Sequence, residues 1–179
     1  MADITGRRIA LVVDNYFEEA EFTGPLEDLQ AAGATVDVVG VKVGELQSMQ
    51  HAELSGKYTA SLALSDVDFD NYDALVLPGG GMNADSLRTN QTILNWVKNF
   101  VSQDKLIAAI CHAPWVLASA NVLKDRKVTS FFTIQDDLRN AGADWSDQSV
   151  VVDGNLITSR QPEDVPAFDA AIISHLQTA

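Results

Sequence analysis

One cysteine, Cys111, stands among 179 residues, so no disulfide can form within the chain and a secreted disulfide framework is excluded. Histidine is scarce as well. His51, His112 and His175 are scattered and make no metal-ligand cluster with the single thiol, so neither a metal nor a redox cofactor is expected. Basic residues are few: 12 Lys and Arg against 25 Asp and Glu leave a net charge of −13. Such a balance disfavours nucleic acid and anionic membranes as partners, and the acidic surface is expected to serve solubility. Long apolar runs are missing too; the longest are about half of the roughly 20 residues that a membrane-spanning helix needs. The N-terminal residues, Met1 to Arg8, lead only into a short strand-like run, not a signal core. These absences point to a soluble cytoplasmic protein. What is present is globular: 46% hydrophobic and 21% charged residues, enough for one domain spanning 1–179 with a substantial core.

Hydrophobic patterning predicts strands and helices in alternation. Arg8 to Val13, Ala34 to Val41, Asp73 to Leu77 and Leu106 to Ile110 are short apolar runs of the kind buried on both faces of a parallel sheet. Phe22, Pro25, Leu26, Leu29 and Ala32 recur at helical spacing, with Gly33 as the stop. Ile93, Trp96, Val97 and Phe100 mark one face of another helix, Pro114 to Ala120 reads as a helix with proline in its first turn, and a last helix is expected over about 162–177. A hairpin is predicted near Leu54 to Thr59. A second is predicted over Val150 to Ser159, turning at Asp153-Gly154. The order implies a doubly wound α/β domain with right-handed crossovers. Ligands in such folds sit beyond the carboxyl ends of the strands. Three ends stand out: Asp14 to Glu19, Pro78 to Gly81, and Cys111-His112.

Cys111 occupies a strand-to-helix turn with the small residues Ala109 and Ala113 two positions to either side. A tight turn that presents a nucleophile needs small residues there. The positive end of the following helix would favour thiolate over thiol. Spacing alone leaves a second reading open, in which Cys111 is a small buried apolar residue. The bare backbone of Pro78-Gly79-Gly80-Gly81 suits oxyanion donors or a plain tight turn; no Gly-Lys-Ser/Thr ending follows, so a phosphate loop is disfavoured. Trp115, Phe131 and Phe132 are read as core packing or as walls of the crevice. Arg160 is read chiefly as a salt-bridge residue and His175 as a surface or packing residue, while His51 is given no role.

The run Ala108-Ala109-Ile110-Cys111-His112-Ala113-Pro114 resembles the cysteine motif of the ThiJ/PfpI superfamily, in its PfpI-like branch. Asp14 to Glu21, Leu75 to Gly80, Lys127 to Ser130, Asp136 to Leu138, Asn140 to Trp145 and Val150 to Arg160 continue the likeness in order. The resemblance implies an α/β flavodoxin-like (class I glutamine amidotransferase-like) three-layer sandwich with a mostly parallel sheet, assembled as a homodimer or larger. It implies that Cys111 is the nucleophile or oxidation-sensitive centre. It also implies that Glu18 reaches the sulfur from the first loop, and that backbone N–H groups near Gly79, Gly80 and His112 face the reacting oxygen. A carboxyl beside a thiolate is expected to hold its proton and to serve as acid or base.

Activities implied by the resemblance are a cofactor-free glyoxalase, deglycation, an intracellular peptidase, and chaperone or oxidative-stress roles. A peptidase of this branch takes an acid shortly after the glycine loop to orient His112. Ala84 stands at that position, and Asp85 is one residue, about 100° of helical rotation, away. The expected chemistry is therefore attack of Cys111 on a small aldehyde or on a glycated protein. The alternatives are a sensor or chaperone acting through Cys111 oxidation, and a peptidase using Cys111 and His112. Amidotransferase chemistry is disfavoured because the C-terminal region reads His175-Leu176-Gln177 instead of His-x-Glu.

Overall fold

The computed structural model describes residues 3–178. Strand β1 (Arg8–Val13) leads through a two-residue strand β2 (Phe17–Glu18) directly into helix α1 (Glu19–Ala31). Strand β3 (Thr35–Gly40) is followed by a long antiparallel hairpin, β4 (Gly44–Gln50) and β5 (Glu53–Ala60), and by the short β6 (Leu62–Ala63). Next come β7 (Ala74–Leu77), α2 (Gly81–Leu87), α3 (Gln91–Ser102), β8 (Leu106–Ile110) and α4 (Pro114–Ser119). The chain ends with β9 (Lys127–Val128), α5 (Gln135–Asn140), β10 (Asp144–Trp145), the hairpin β11 (Val150–Asp153) and β12 (Leu156–Ser159), and α6 (Val165–Thr178).

Seven strands form the central sheet in the order β11-β12-β8-β7-β1-β3-β6. All neighbours run parallel except β11 and β12, whose hairpin turns at Gly154 and Asn155. Alternate side chains along the strands feed two cores. Ile9, Leu11, Val13 and Val76 pack with Phe22, Leu29, Phe168 and Ile172 of α1 and α6. Ala10, Val12, Leu75 and Leu77 pack with Trp96, Val97, Phe100 and Leu117 of α3 and α4. Each fully buried aliphatic or aromatic side chain contributes roughly 1.5–3 kcal/mol. The result is the three-layer sandwich expected. Asn90 caps α3 by accepting from the Thr92 and Ile93 N–H groups.

Two local departures from the expectation matter for the site. Helix α1 begins at Glu19, a turn earlier than the apolar pattern from Phe22 suggests, so Pro25 lies inside the helix and not near its start. The hairpin spans Gly44 to Ala60, well beyond Leu54 to Thr59, and β4 pairs with β2. Polar and small residues (Gln47, Ser48, Ser55, Gly56) hide these strands from a reading based on hydrophobic alternation. The last helix, expected from Pro162, opens with a 3₁₀ turn over Pro162–Asp164 before α6.

Asp169, on α6, is buried against α1, and neither of its carboxyl oxygens has a hydrogen-bond partner of good geometry. Burial, then the nearby Asp28 carboxyl, push it up to about 8 from 3.8. Between those values the folded chain holds a proton that the unfolded chain has lost, so stability falls as pH rises from about 4 to about 8. Asp169→Asn should raise the melting temperature at pH 8 and flatten this slope relative to wild type. Thermal unfolding from pH 5 to pH 8 will check it.

Candidate active site

The parallel strands β1, β7 and β8 are adjacent, and the order switches direction between β1 and β7. Their carboxyl ends therefore open a crevice at one place on the sheet edge. Cys111 follows β8 with φ of 63°, a left-handed conformation that a non-glycine residue adopts at a cost of order 1–3 kcal/mol. Two backbone bonds hold it there: its N–H donates to the Ser159 carbonyl at 3.1 Å, and its carbonyl accepts from the Phe131 N–H at 2.8 Å. The sulfur faces a cleft of about 570 Å³ lined by Glu18, Glu21, His51, Gly80, His112, Phe131 and other side chains.

The carboxyl in contact with the sulfur is Glu21, not Glu18. Glu21 is fully buried, and its side chain stands against Cys111 and the Gly79 backbone. The early start of α1 is the reason. Glu18 remains on β2, whereas Glu21 lies in the first turn of the helix, on the face that buries Phe22, Pro25 and Leu29. Burial first, and the charge of Glu18 second, hold Glu21 well above the usual carboxyl range, so it keeps its proton. A neutral Glu21 can donate to the sulfur. Burial pushes the Cys111 thiol up, while the Gly80 and His112 N–H groups, which point at the sulfur, favour the thiolate. The Gly79 N–H is turned toward Glu21, so Gly80 and His112 are the backbone donors facing the reactive atom.

Glu18 lies in the wall of the same cleft. Both its oxygens accept from the His51 N–H, at 3.0 and 3.3 Å, and burial raises it. His51 is therefore part of the site through its backbone, at a hairpin tip where its φ is 56°. Glu19 points the other way. It accepts from the Ser48 hydroxyl at 2.6 Å and the Gly56 N–H at 2.8 Å, and these bonds lower it to about 2.

His112 Nδ1 is 3.1 Å from the sulfur, and Nε2 is 3.3 Å from the Thr133 hydroxyl. Its ring stacks on Phe131 with centroids 5.0 Å apart, and burial lowers its affinity for a proton. Among the described residues no carboxylate hydrogen-bonds His112. Asp85 is exposed and lines an outer groove with His112 and Trp115. Trp115 meets the His112 ring edge-on and donates to Asp137, outside the cleft. Phe132 is exposed, and Arg160 is ion-paired with Asp147 and Asp164. No group of three or more His, Cys, Asp or Glu that could hold a metal occurs among the described residues.

Asn83 escaped the sequence reading. Fully buried, it donates to the Pro78 and Gly79 carbonyls and accepts from the Asp14 N–H, tying the glycine loop to the end of β1. A polar residue just inside a helix carries no sequence signal of that clamp.

Residues 7–175 match the DJ-1/PfpI family. The chain belongs to it. A DJ-1/PfpI relative in Escherichia coli, protein/nucleic acid deglycase 2, is 38% identical over 91% of this chain and 94% of its own length. General stress protein 18 of Bacillus subtilis is 35% identical over 96% and 99%. Drosophila melanogaster DJ-1beta superposes with a TM-score of 0.89 at 30% identity, covering 97% of this chain and 91% of its own. Among the described residues no helix is long and apolar enough to cross a membrane.

A Cβ on Gly79 would stand 2.5 Å from the Cys111 Cβ and closer still to the Glu21 carboxyl. Gly79→Ala must therefore push the pair apart. We expect a loss of about 1–3 kcal/mol in stability from overpacking. A marked fall in the alkylation rate of Cys111 should accompany it, checked by denaturant unfolding and intact mass.

Proposed function

We propose that this chain is a cysteine-dependent enzyme of carbonyl stress, acting on 2-oxoaldehydes or on their adducts. The observation that carries the reading is the buried, proton-holding Glu21 packed against Cys111 at the floor of the cleft. Cys111 gives its proton to solvent and adds as thiolate to the aldehyde carbon, and Glu21 delivers its own proton to the carbonyl oxygen, giving a hemithioacetal. The carboxylate so formed takes the proton from that carbon and returns it to the neighbouring carbonyl carbon, while the hydroxyl proton passes to the neighbouring oxygen, leaving a hydroxy thioester. Water releases the hydroxy acid and restores the thiol. The Gly80 and His112 N–H groups stabilise negative charge next to the sulfur, a contribution of the oxyanion-hole kind. On an adduct, the same attack expels the amine. The relatives named as a deglycase and as a general stress protein support this class of role.

Peptidase chemistry is less well supported. His112 bonds the sulfur and Thr133, and among the described residues it has no carboxylate to fix its tautomer.

Methylglyoxal consumption with chiral lactate detection tests the proposal. Cys111→Ser should abolish turnover. Glu21→Gln should lower kcat by about 10²–10⁴-fold while the protein stays folded, as expected for loss of a proton-transfer group. Full activity in Glu21→Gln, or no turnover by wild type above a protein-free control, would overturn it.

A further inference from the structure

The mechanism uses Glu21 and leaves Glu18 without a task, although Glu18 is buried in the wall of the same cleft. Its partner there is a backbone N–H, from His51. None of the ion pairs among the described residues involves it. The rest of the wall is largely apolar, with Tyr16, Met49, Met82, Phe131 and Pro162, and no Lys or Arg lines it. Opposing charge in the wall comes from His51 alone, which gives Glu18 its main-chain N–H and a favourable charge, while His112 is held neutral by burial. An adjoining recess is lined by Glu18, Glu163 and Glu19, the last with its carboxylate ionised and turned to Ser48 and Gly56. Deeper in, the two oxygens of fully buried Glu21 have no hydrogen-bond partner of good geometry. A one-signed lining with apolar walls focuses its field on whatever enters.

We propose that the cleft selects by charge, admitting neutral and cationic carbonyl compounds to Cys111 and turning away those that carry a carboxylate or phosphate, with Glu18 setting the preference. The identity of the reaction rests on the reading above; the selection does not. An amine-borne adduct, on a lysine or arginine side chain for example, fits such a site, whereas a 2-oxo acid or a phosphorylated triose does not. A unit charge several ångströms from another, at the effective dielectric of a protein surface, changes a rate by about tenfold or more.

The test uses Cys111 as its own reporter, since it is the only thiol. Three methanethiosulfonates differ in charge: one carries a sulfonate, one is the neutral methyl compound and one carries a trimethylammonium. In each case the thiolate attacks the sulfenyl sulfur, methanesulfinate leaves and a mixed disulfide forms, read by intact mass. Relative to 2-mercaptoethanol, native wild type should favour the cationic over the anionic reagent by about tenfold or more at low salt, and less at high salt. Glu18→Gln should remove most of that preference. Asp104→Asn, at the opposite end of β8, removes the same charge and should leave it intact. A wild-type ratio equal to that of 2-mercaptoethanol, an unchanged ratio in a folded Glu18→Gln, an equal loss in Asp104→Asn, or no labelling by any reagent would each overturn the proposal. Absence of methylglyoxal turnover with the charge preference intact would instead strike only the reaction assigned above.

Discussion

Burial of the Glu21 carboxyl against Cys111 constrains everything around it. An ionised carboxylate taken out of water without a partner costs several kcal/mol, so this one stays neutral. A neutral carboxyl at that depth is a proton donor aimed at the sulfur. Its placement demands that α1 start at Glu19, that residue 79 have no side chain, and that the glycine loop be tied down by Asn83. Gly80, with φ of 91°, carries this packing on to the first loop; a Cβ there would press on Tyr16 and on Phe17-Glu18.

Three successive acids in the first loop and helix show how environment divides one functional group into separate roles. Glu19 is exposed to hydroxyl and N–H donors of the hairpin and is ionised far below neutrality. Glu18 is buried in the cleft wall and held there by the His51 N–H. Glu21 is dry and protonated. Distinct environments pushing like groups apart are the usual mark of an acid–base site.

The switch point of the sheet puts the cleft beyond the carboxyl ends of β1, β7 and β8, where such folds hold their ligands. The family contains proteins named for deglycation and for general stress. In this chain the cleft lining is acidic and free of arginine and lysine, and Asp85 stays exposed in an outer groove without a bond to His112.

Much was legible in the residues themselves. The apolar runs of β1, β3, β7 and β8 announce strands buried on both faces, because such strands need no polar alternation, and the turn at Cys111 is written in its small neighbours. The identity of the acid was not legible. Glu18, Glu19 and Glu21 are equivalent on paper, and the apolar pattern starts the helix at Phe22. Choosing among them depends on where the helix begins, and that is fixed by pairing of Phe17-Glu18 with β4, a contact made across some 30 residues of chain. The sequence alone determined the layered α/β fold, the tight turn that carries Cys111 and the glycine loop, since these follow from local periodicity and turn chemistry. Only the tertiary structure decided which carboxyl meets the sulfur, which one faces the cleft and that no carboxylate among the described residues bonds His112, because burial and distance between remote segments set those outcomes.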